Sequence, residues 1–297
     1  MRLIKTVAQL QSEADRERAA GRRIALVPTM GALHEGHLSL IDEGRRRADR
    51  VFLTIFVNPT QFNDTRDLDQ YPRSLDADLD RCKQRGVDVV FAPGADEMYP
   101  AGSQTSIEVT QLTRPLCGRN RPGHFRGVTT IVAKLLLAAK PHVAVFGEKD
   151  AQQLAVVRRM VADLGFDVEI VGAPIVRESD GLAMSSRNVN LHPEARRQAT
   201  VLVAALDAAG AAVDAGQRDS REILHRVTTE ISRAPLATVD YAELRDPDTL
   251  EPSPVELDGP ALLALAISFA APAGEGGKTV RLIDNRVLRP PTHDTVT

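Results

Sequence analysis

Apolar and polar positions along this chain follow two periods, and the mixture changes near residue 190. In the first part, short runs that are apolar throughout are separated by stretches with helical spacing. Residues 23–29 (RIALVPT), 51–57 (VFLTIFV), 87–93 (VDVVFAP), 143–147 (VAVFG) and 166–172 (FDVEIVG) read as strands, because near-continuous apolar runs mark strands covered on both faces. Residues 38–50, 74–85, 128–139 and 151–164 read as helices, the third halted by Lys140-Pro141. Strands alternating with helices predict an α/β fold, a Rossmann-like parallel sheet. Beyond residue 191 the order becomes helix, helix, strand, strand, strand: 195–215 and 220–233 helical, then 239–245, 261–269 and 279–285 extended. That run predicts a smaller α+β domain. The expected division is a sheet domain over 1–185, a smaller C-terminal domain over 186–290 and a disordered tail over 291–297, with 178–190 as the hinge.

Bulk composition narrows the function classes. The 297 residues carry a formal net charge of -3, which gives no basic footprint for nucleic acid. No segment approaches the roughly 18 uninterrupted apolar residues of a membrane span, and the opening twenty residues lack a signal-peptide apolar stretch. A cytoplasmic location is expected. There, the two cysteines, Cys82 and Cys117, are expected as free thiols.

Two of the seven histidines, His34 and His37, stand three apart in VPTMGALHEGHLSL, just after the first strand. Metal ligation needs more than this pair offers: the zinc-protease pattern spaces its histidines i, i+4, and no further Cys/His cluster completes a set. A plain reading is a polar helix start. The sharper reading is nucleotide chemistry. In open α/β sheets ligands bind at the carboxyl ends of strands, a helix N-terminus presents N–H groups to phosphate, and imidazoles there can donate to phosphoryl oxygens. On this reading Gly31 and Gly36 allow close approach of backbone to ligand. Three other stretches carry comparable chemistry: Gln61 in FVNPTQF, Lys149 with Asp150 and Gln153 in FGEKDAQQL, and the hydroxyls and Arg187 of GLAMSSRN. Each alone reads equally as loop polarity, a solvated lysine or a turn cap. Together they converge on one cleft.

These stretches resemble the pantothenate synthetase (pantoate–β-alanine ligase) family of the nucleotidyltransferase superfamily. PTMGALHEGH, FVNPTQF, DLDQYPRS, RPGHFRGV, FGEKDAQQL and ESDGLAMSSRN occur here in the family's order and spacing. The resemblance implies condensation of (R)-pantoate with β-alanine, driven by ATP, through a pantoyl adenylate, with Mg²⁺ on the ATP phosphates and a homodimer as the working unit. It implies that Met30, Gly31, His34 and His37 line the ATP site, with His37 as the proton donor. Gly147, Glu148, Lys149, Asp150, Val176, Met184, Ser185, Ser186 and Arg187 would complete that site. Gln61 and Gln153 would hold pantoate, with Gln61 near β-alanine as well. Arg121 matches a family arginine near the cleft without a defined role.

Three positions depart from the commonest family pattern: Ala151 in place of an aromatic, Cys117 in place of a small or acidic residue, and Asn63-Asp64 in place of a glycine-containing turn. The protein ligands of Mg²⁺ are not legible. Asp76 and Asp78 are candidates, with a solvated helix face the plainer expectation. Competing functions are a transferase that leaves AMP or CMP on its product, such as a cytidylyltransferase, and a nucleotide-binding regulator without catalysis. The paired glutamines argue against the first, and intact His34, His37, Lys149 and Arg187 against the second.

Overall fold

The structure, a computed structural model, describes residues 1–63, 68–69, 71–72 and 74–291. Asp64, three residues of DLDQYPRS (Asp67, Gln70 and Arg73) and residues 292–297 of the expected tail lie outside the described residues. The chain divides into two compact units, Met1–Val176 and Arg177–Thr297.

In the first unit the strands are β1 (Arg2–Ile4), β2 (Ile24–Thr29), β3 (Arg50–Ile55), β4 (Val89–Phe91), β5 (Val143–Gly147) and β6 (Glu169–Ala173). They form one six-stranded sheet in the order β1-β4-β3-β2-β5-β6, parallel at every pairing. This is the expected doubly wound arrangement. From β2 the chain moves outward to β3 and β4, then returns to place β5 on the other flank of β2. The gap between β2 and β5 is therefore the topological switch point, where such sheets bind ligands.

Alternation along the strands builds two apolar layers. Ala25, Val27, Val51, Leu53, Val90, Val143, Val145, Val171 and Ala173 share one core with Leu38 and Ile41 of the helix Glu35–Arg47 and with Cys82 of the helix Leu75–Gln84. Gly44 lets the first of these helices lie close on β2, for a Cβ there would stand 3.2 Å from that of Ala25. Ile24, Leu26, Phe52, Phe91, Ala144 and Phe146 are equally buried and point the other way. On that side the helices Val7–Ala19, His124–Ala139 and Ala151–Leu164 contact one another and the sheet.

The amino-terminal strand and helix, to which the sequence pattern assigns nothing, explain their own invisibility. β1 has three residues. The helix Val7–Ala19, capped by Thr6, buries Leu10 and Ala14 but also Glu13 and Glu17. Those carboxylates are neutralised by Arg2, Arg16, Arg22 and Arg50. The hydrogen bond from Arg22 holds the Glu17 carboxyl down at about 2. A face that buries paired glutamates has no apolar stripe to read.

The second unit packs the helices Pro193–Gln198, Val201–Asp214 and Ser220–Ile231 on an antiparallel sheet of β7 (Ala237–Arg245), β8 (Ala261–Phe269) and β9 (Val280–Leu288), with β8 central. The expected helix over 195–215 is two helices. The Thr200 hydroxyl donates back to the Arg197 carbonyl, and Leu202 N–H bonds to Ala199 rather than one residue earlier, a local competition with the helical ladder. The unit boundary falls earlier than the expected residue 185. Leu182 packs in the second core, and Arg177 makes a two-pronged pair with buried Asp284 of β9 at 2.6 and 3.0 Å, so residues 177–185 belong to the second unit.

The helix His124–Ala139 begins a turn before the expected residue 128, and its first turn meets the loop after β3. A Cβ on Gly127 would stand 2.5 Å from the Thr60 carbonyl oxygen and 2.7 Å from the Gln61 nitrogen. Gly127→Ala should therefore cost about 1–3 kcal/mol of stability, measured by denaturant unfolding against wild type. An unchanged midpoint would show that this backbone contact is not close.

Candidate active site

The helix after β2 starts at Glu35, so the HEGH tetrapeptide is its cap and first turn rather than a loop before it. The turn is closed by reciprocal hydrogen bonds. The Gly36 N–H donates to His34 Nδ1 at 3.1 Å, and the His34 N–H donates to His37 Nδ1 at 3.4 Å. This is a capping box made with imidazoles instead of a hydroxyl and a carboxylate. The two rings lie 4.1 Å apart between centroids, tilted 45°. The arrangement has a chemical consequence. A ring nitrogen that accepts carries no proton, so each neutral ring carries its proton on Nε2. Both histidines thus present an N–H donor on the nitrogen not used by the backbone.

The preceding loop is equally determined. Gly31 and Ala32 both have positive φ, 84° and 50°. The Ala32 and Leu33 N–H groups each donate to a carboxylate oxygen of Asp78 at 2.8 Å, and the Gly31 N–H donates to Thr29 Oγ1 at 3.2 Å. A Cβ on Gly31 would stand 3.0 Å from Asp78 Oδ2 and 3.1 Å from Ile55 Cγ2, so the packing of the turn itself calls for glycine there. The solvated-face reading of Asp78 is corrected, since it is 1% exposed with each oxygen already on an amide. Asp76 is exposed. The expected supply of open helix-end amides is also reduced, because Gly36 and His37 N–H already have acceptors within the turn.

Four strand ends bring the first-unit candidates together. Met30 to His37 follow β2, Gln61 follows β3, Gly147 ends β5 with Glu148 to Asp150 after it, and Val176 follows β6. In a parallel sheet these ends lie on one edge. Lys149, half-buried on the turn Glu148–Asp150, is near enough for its charge to act on His37. Burial above all, then the neighbouring His34 and Lys149, push the His37 imidazole down to about 3. Glu148 and Asp150 are exposed on either side of Lys149.

Gln61 is buried and held from four directions. Its Nε2 reaches Met30 Sδ at 3.2 Å, and its Oε1 accepts from Asn58 at 3.0 Å. Its backbone carbonyl lies 2.8 Å from His124 Nδ1 and 3.3 Å from Arg121. Arg121 thereby gains a place beside the Gln61 loop. Asn58 is 1% exposed and also accepts from Tyr99 and Thr60. The sequence pattern ends the strand at Val57 and assigns Asn58 no role. A polar residue directly after a buried strand was the available signal. Gln153 is half-buried. Its neighbour Gln152 is structural, taking the Cys117 N–H and donating to the Leu112 and Pro115 carbonyls. Cys117 is buried and enters this arrangement by its backbone. Burial lifts the Cys82 thiol to about 12.

Met184, Ser185, Ser186 and Arg187 belong to the second unit, half-buried in a loop where the Arg187 N–H bonds to Ser185 Oγ at 3.3 Å. The adjacent Asn188 is buried and donates to Glu178 and the Ala183 carbonyl, which fixes the loop from beneath. Among the described residues no group of three or more His, Cys, Asp or Glu could hold a metal, and no helix is long and apolar enough to cross a membrane.

Against known proteins, the family model described as pantoate-beta-alanine ligase matches residues 2–287. The chain belongs to the pantoate–β-alanine ligase family. It is 54% identical over 290 residues to the pantothenate synthetase of Syntrophobacter fumaroxidans, covering 98% of this chain and 99% of the relative. It is 52% identical over 288 residues to that of Geobacter sulfurreducens, covering 97% and 99%. The crystal structure of pantothenate synthetase from Thermus thermophilus superposes with a TM-score of 0.88 at 44% identity, covering 98% and 100%. A pantoate-beta-alanine ligase from Francisella tularensis, complexed with beta-gamma ATP and beta-alanine, gives 0.75 at 32% identity, covering 97% of each chain. The two-unit architecture found here is thus that of the family.

The capping box makes a specific forecast within this family fold. Nitrogen-15 NMR of the imidazoles should show both His34 and His37 as Nε2–H tautomers near neutral pH. His37 should stay neutral on acidification well past the ordinary histidine range. The linked stability change has a definite sign. The folded value lies below the unfolded 6.5, so stability is full above about 6.5 and declines as pH falls from there toward 3. His37→Gln should flatten that part of the pH–stability curve. A wild-type His37 titrating near 6.5 would sink the account.

Proposed function

We propose that this chain joins (R)-pantoate to β-alanine through a pantoyl adenylate, with ATP cleaved to AMP and pyrophosphate. The observation that carries this reading is the pair of imidazoles held as Nε2–H donors at the sheet's switch point, with the Lys149 charge acting on His37, in a chain of this family. A carboxylate oxygen of pantoate attacks the α-phosphorus, and the bond to the bridging oxygen of pyrophosphate breaks. The amine of β-alanine then attacks the acyl carbon, AMP leaves, and the amine loses its proton. The carboxylate is already anionic and needs no base. The barrier lies in bringing an anion onto a polyanion, which cationic and N–H donors relieve.

On this reading His34 and His37 donate to phosphate oxygens from Nε2, because Nδ1 of each ring accepts a backbone N–H. Lys149 balances the departing pyrophosphate. Arg187, Met184, Ser185 and Ser186 serve the nucleotide, as do Met30, Gly31, Gly147 and Val176. Gln61 and Gln153 orient pantoate without adding negative charge. The fixing of Gln61 through Asn58, His124 and Arg121 supports that role, since a pre-set amide loses little freedom on binding. Mg²⁺ fits as a companion of the ATP phosphates, because the cation keeps water and phosphate ligands more readily than an all-protein cage. The cation would offset phosphate charge. A homodimeric, cytoplasmic enzyme belongs to the same reading, on family resemblance.

The deciding assay supplies ATP, pantoate and β-alanine and identifies the nucleotide. Free AMP, pyrophosphate and pantothenate are expected; ADP with phosphate, or AMP retained on the product, would overturn the reading. His34→Ala and His37→Ala should each lose on the order of a hundredfold in kcat, the scale for one transition-state donor.

The half-reactions separate the lysine from the rest. Labelled pyrophosphate should exchange into ATP with pantoate present and β-alanine absent. Lys149→Ala should depress that exchange strongly and impair far less the attack of β-alanine on supplied pantoyl adenylate. Equal losses in both steps would remove Lys149 from the leaving-group role.

A further inference from the structure

The proposed reaction does not account for Asp78. It lies on a different element from every proposed ligand-binding residue, on the helix Leu75–Gln84, and is 1% exposed. A carboxylate so deeply buried is costly unless paired, yet its partners are two backbone amides, those of Ala32 and Leu33, each at 2.8 Å. Both amides lie in the turn where Gly31 and Ala32 have positive φ. Consecutive amides turned together form an anion-binding concavity, and here the protein fills it with its own carboxylate. The fit is close, since a Cβ on Gly31 would press on Asp78 Oδ2 at 3.0 Å.

The filled concavity lies immediately before the capping box. Leu33 is 1% exposed, and the next residue is His34. Asp78 therefore holds the last non-helical residues between β2 and the two imidazoles, and occupies with its own carboxylate the two amides that an anion would otherwise meet there. We propose that Asp78 is a positioning residue for the first half-reaction. It acts through the Ala32 and Leu33 amides to set His34 and His37 and to leave the ATP phosphates to the imidazoles and Lys149. This rests on the adenylation reading above.

A residue that only stabilised the fold would lower both half-reactions alike. A positioning residue for this turn should lower one. In Asp78→Asn, which keeps one acceptor and turns the other into a donor facing an N–H, pantoate-dependent pyrophosphate–ATP exchange should fall on the order of a hundredfold, the scale of a misplaced catalytic group. The fall should appear in kcat, with the KM for ATP changed by less than about threefold, since the donors remain present. Amide formation from supplied pantoyl adenylate should stay within about threefold of wild type. Asp78→Ala should behave in the same way, more severely. Equal losses in the two half-reactions, or exchange at the wild-type rate, would overturn the proposal.

Hydrogen exchange provides a measurement that needs no variant. In the wild-type protein the Ala32 and Leu33 amides should be strongly protected, and rapid exchange there would defeat the proposal even if both variants fail to fold. If wild-type protein shows no pantoate-dependent exchange of pyrophosphate, the adenylation reading fails instead, while amide protection still reports on the clamp.

Discussion

The strand-to-helix turn after β2 has to satisfy its backbone amides in little space, and how it does so sets the rest of the site. Buried N–H groups need acceptors. Gly31 uses the Thr29 hydroxyl, Ala32 and Leu33 use Asp78, His34 uses the His37 ring, and Gly36 uses the His34 ring. A glycine-rich phosphate loop leaves such amides open to its ligand. This turn closes them on the protein, so recognition passes from backbone to side chains. That transfer makes the imidazole tautomers and the nearness of Lys149 matter.

The same economy appears on the neighbouring strand end. Asn58 occupies a buried position just past β3 and joins Gln61, Tyr99 and Thr60 in one network, while the close approach of Gly127 pins the backbone. The Gln61 amide reaches Met30 Sδ, so the loops after β2 and β3 are connected through side chains as well as through the sheet. Polar networks with every member satisfied hold a single geometry, which suits a site whose work is orientation and charge placement rather than covalent chemistry.

Much was legible in the chain because local pattern and long-range demand agree. Continuous apolar runs such as RIALVPT and VAVFG can be buried on two faces only in a covered parallel sheet, and the helix Ala151–Leu164 and strand Ala261–Phe269 fall where periodicity places them. The motifs around His34, Gln61 and Lys149 follow strands, so their placement on one edge follows from parallel topology. Where burial and polarity disagree, the pattern misleads. The amino-terminal helix hides two paired glutamates, and Asp78 reads as solvent-facing while being among the most buried residues.

The sequence by itself determined the class of fold, the order of its main elements after the amino-terminal strand and helix, and the chemical groups available, since these depend on the identity and spacing of neighbouring residues. Only the tertiary structure decided which carboxylate is a clamp and which glutamine is structural. Gln152 and Gln153 are adjacent and chemically identical, and they differ only because one faces the Leu112 and Pro115 carbonyls. Asp76 and Asp78 differ in the same way, two residues apart on one helix. Such assignments rest on partners 35 to 46 residues distant in sequence, and no local pattern encodes what the folded chain will bring against a side chain.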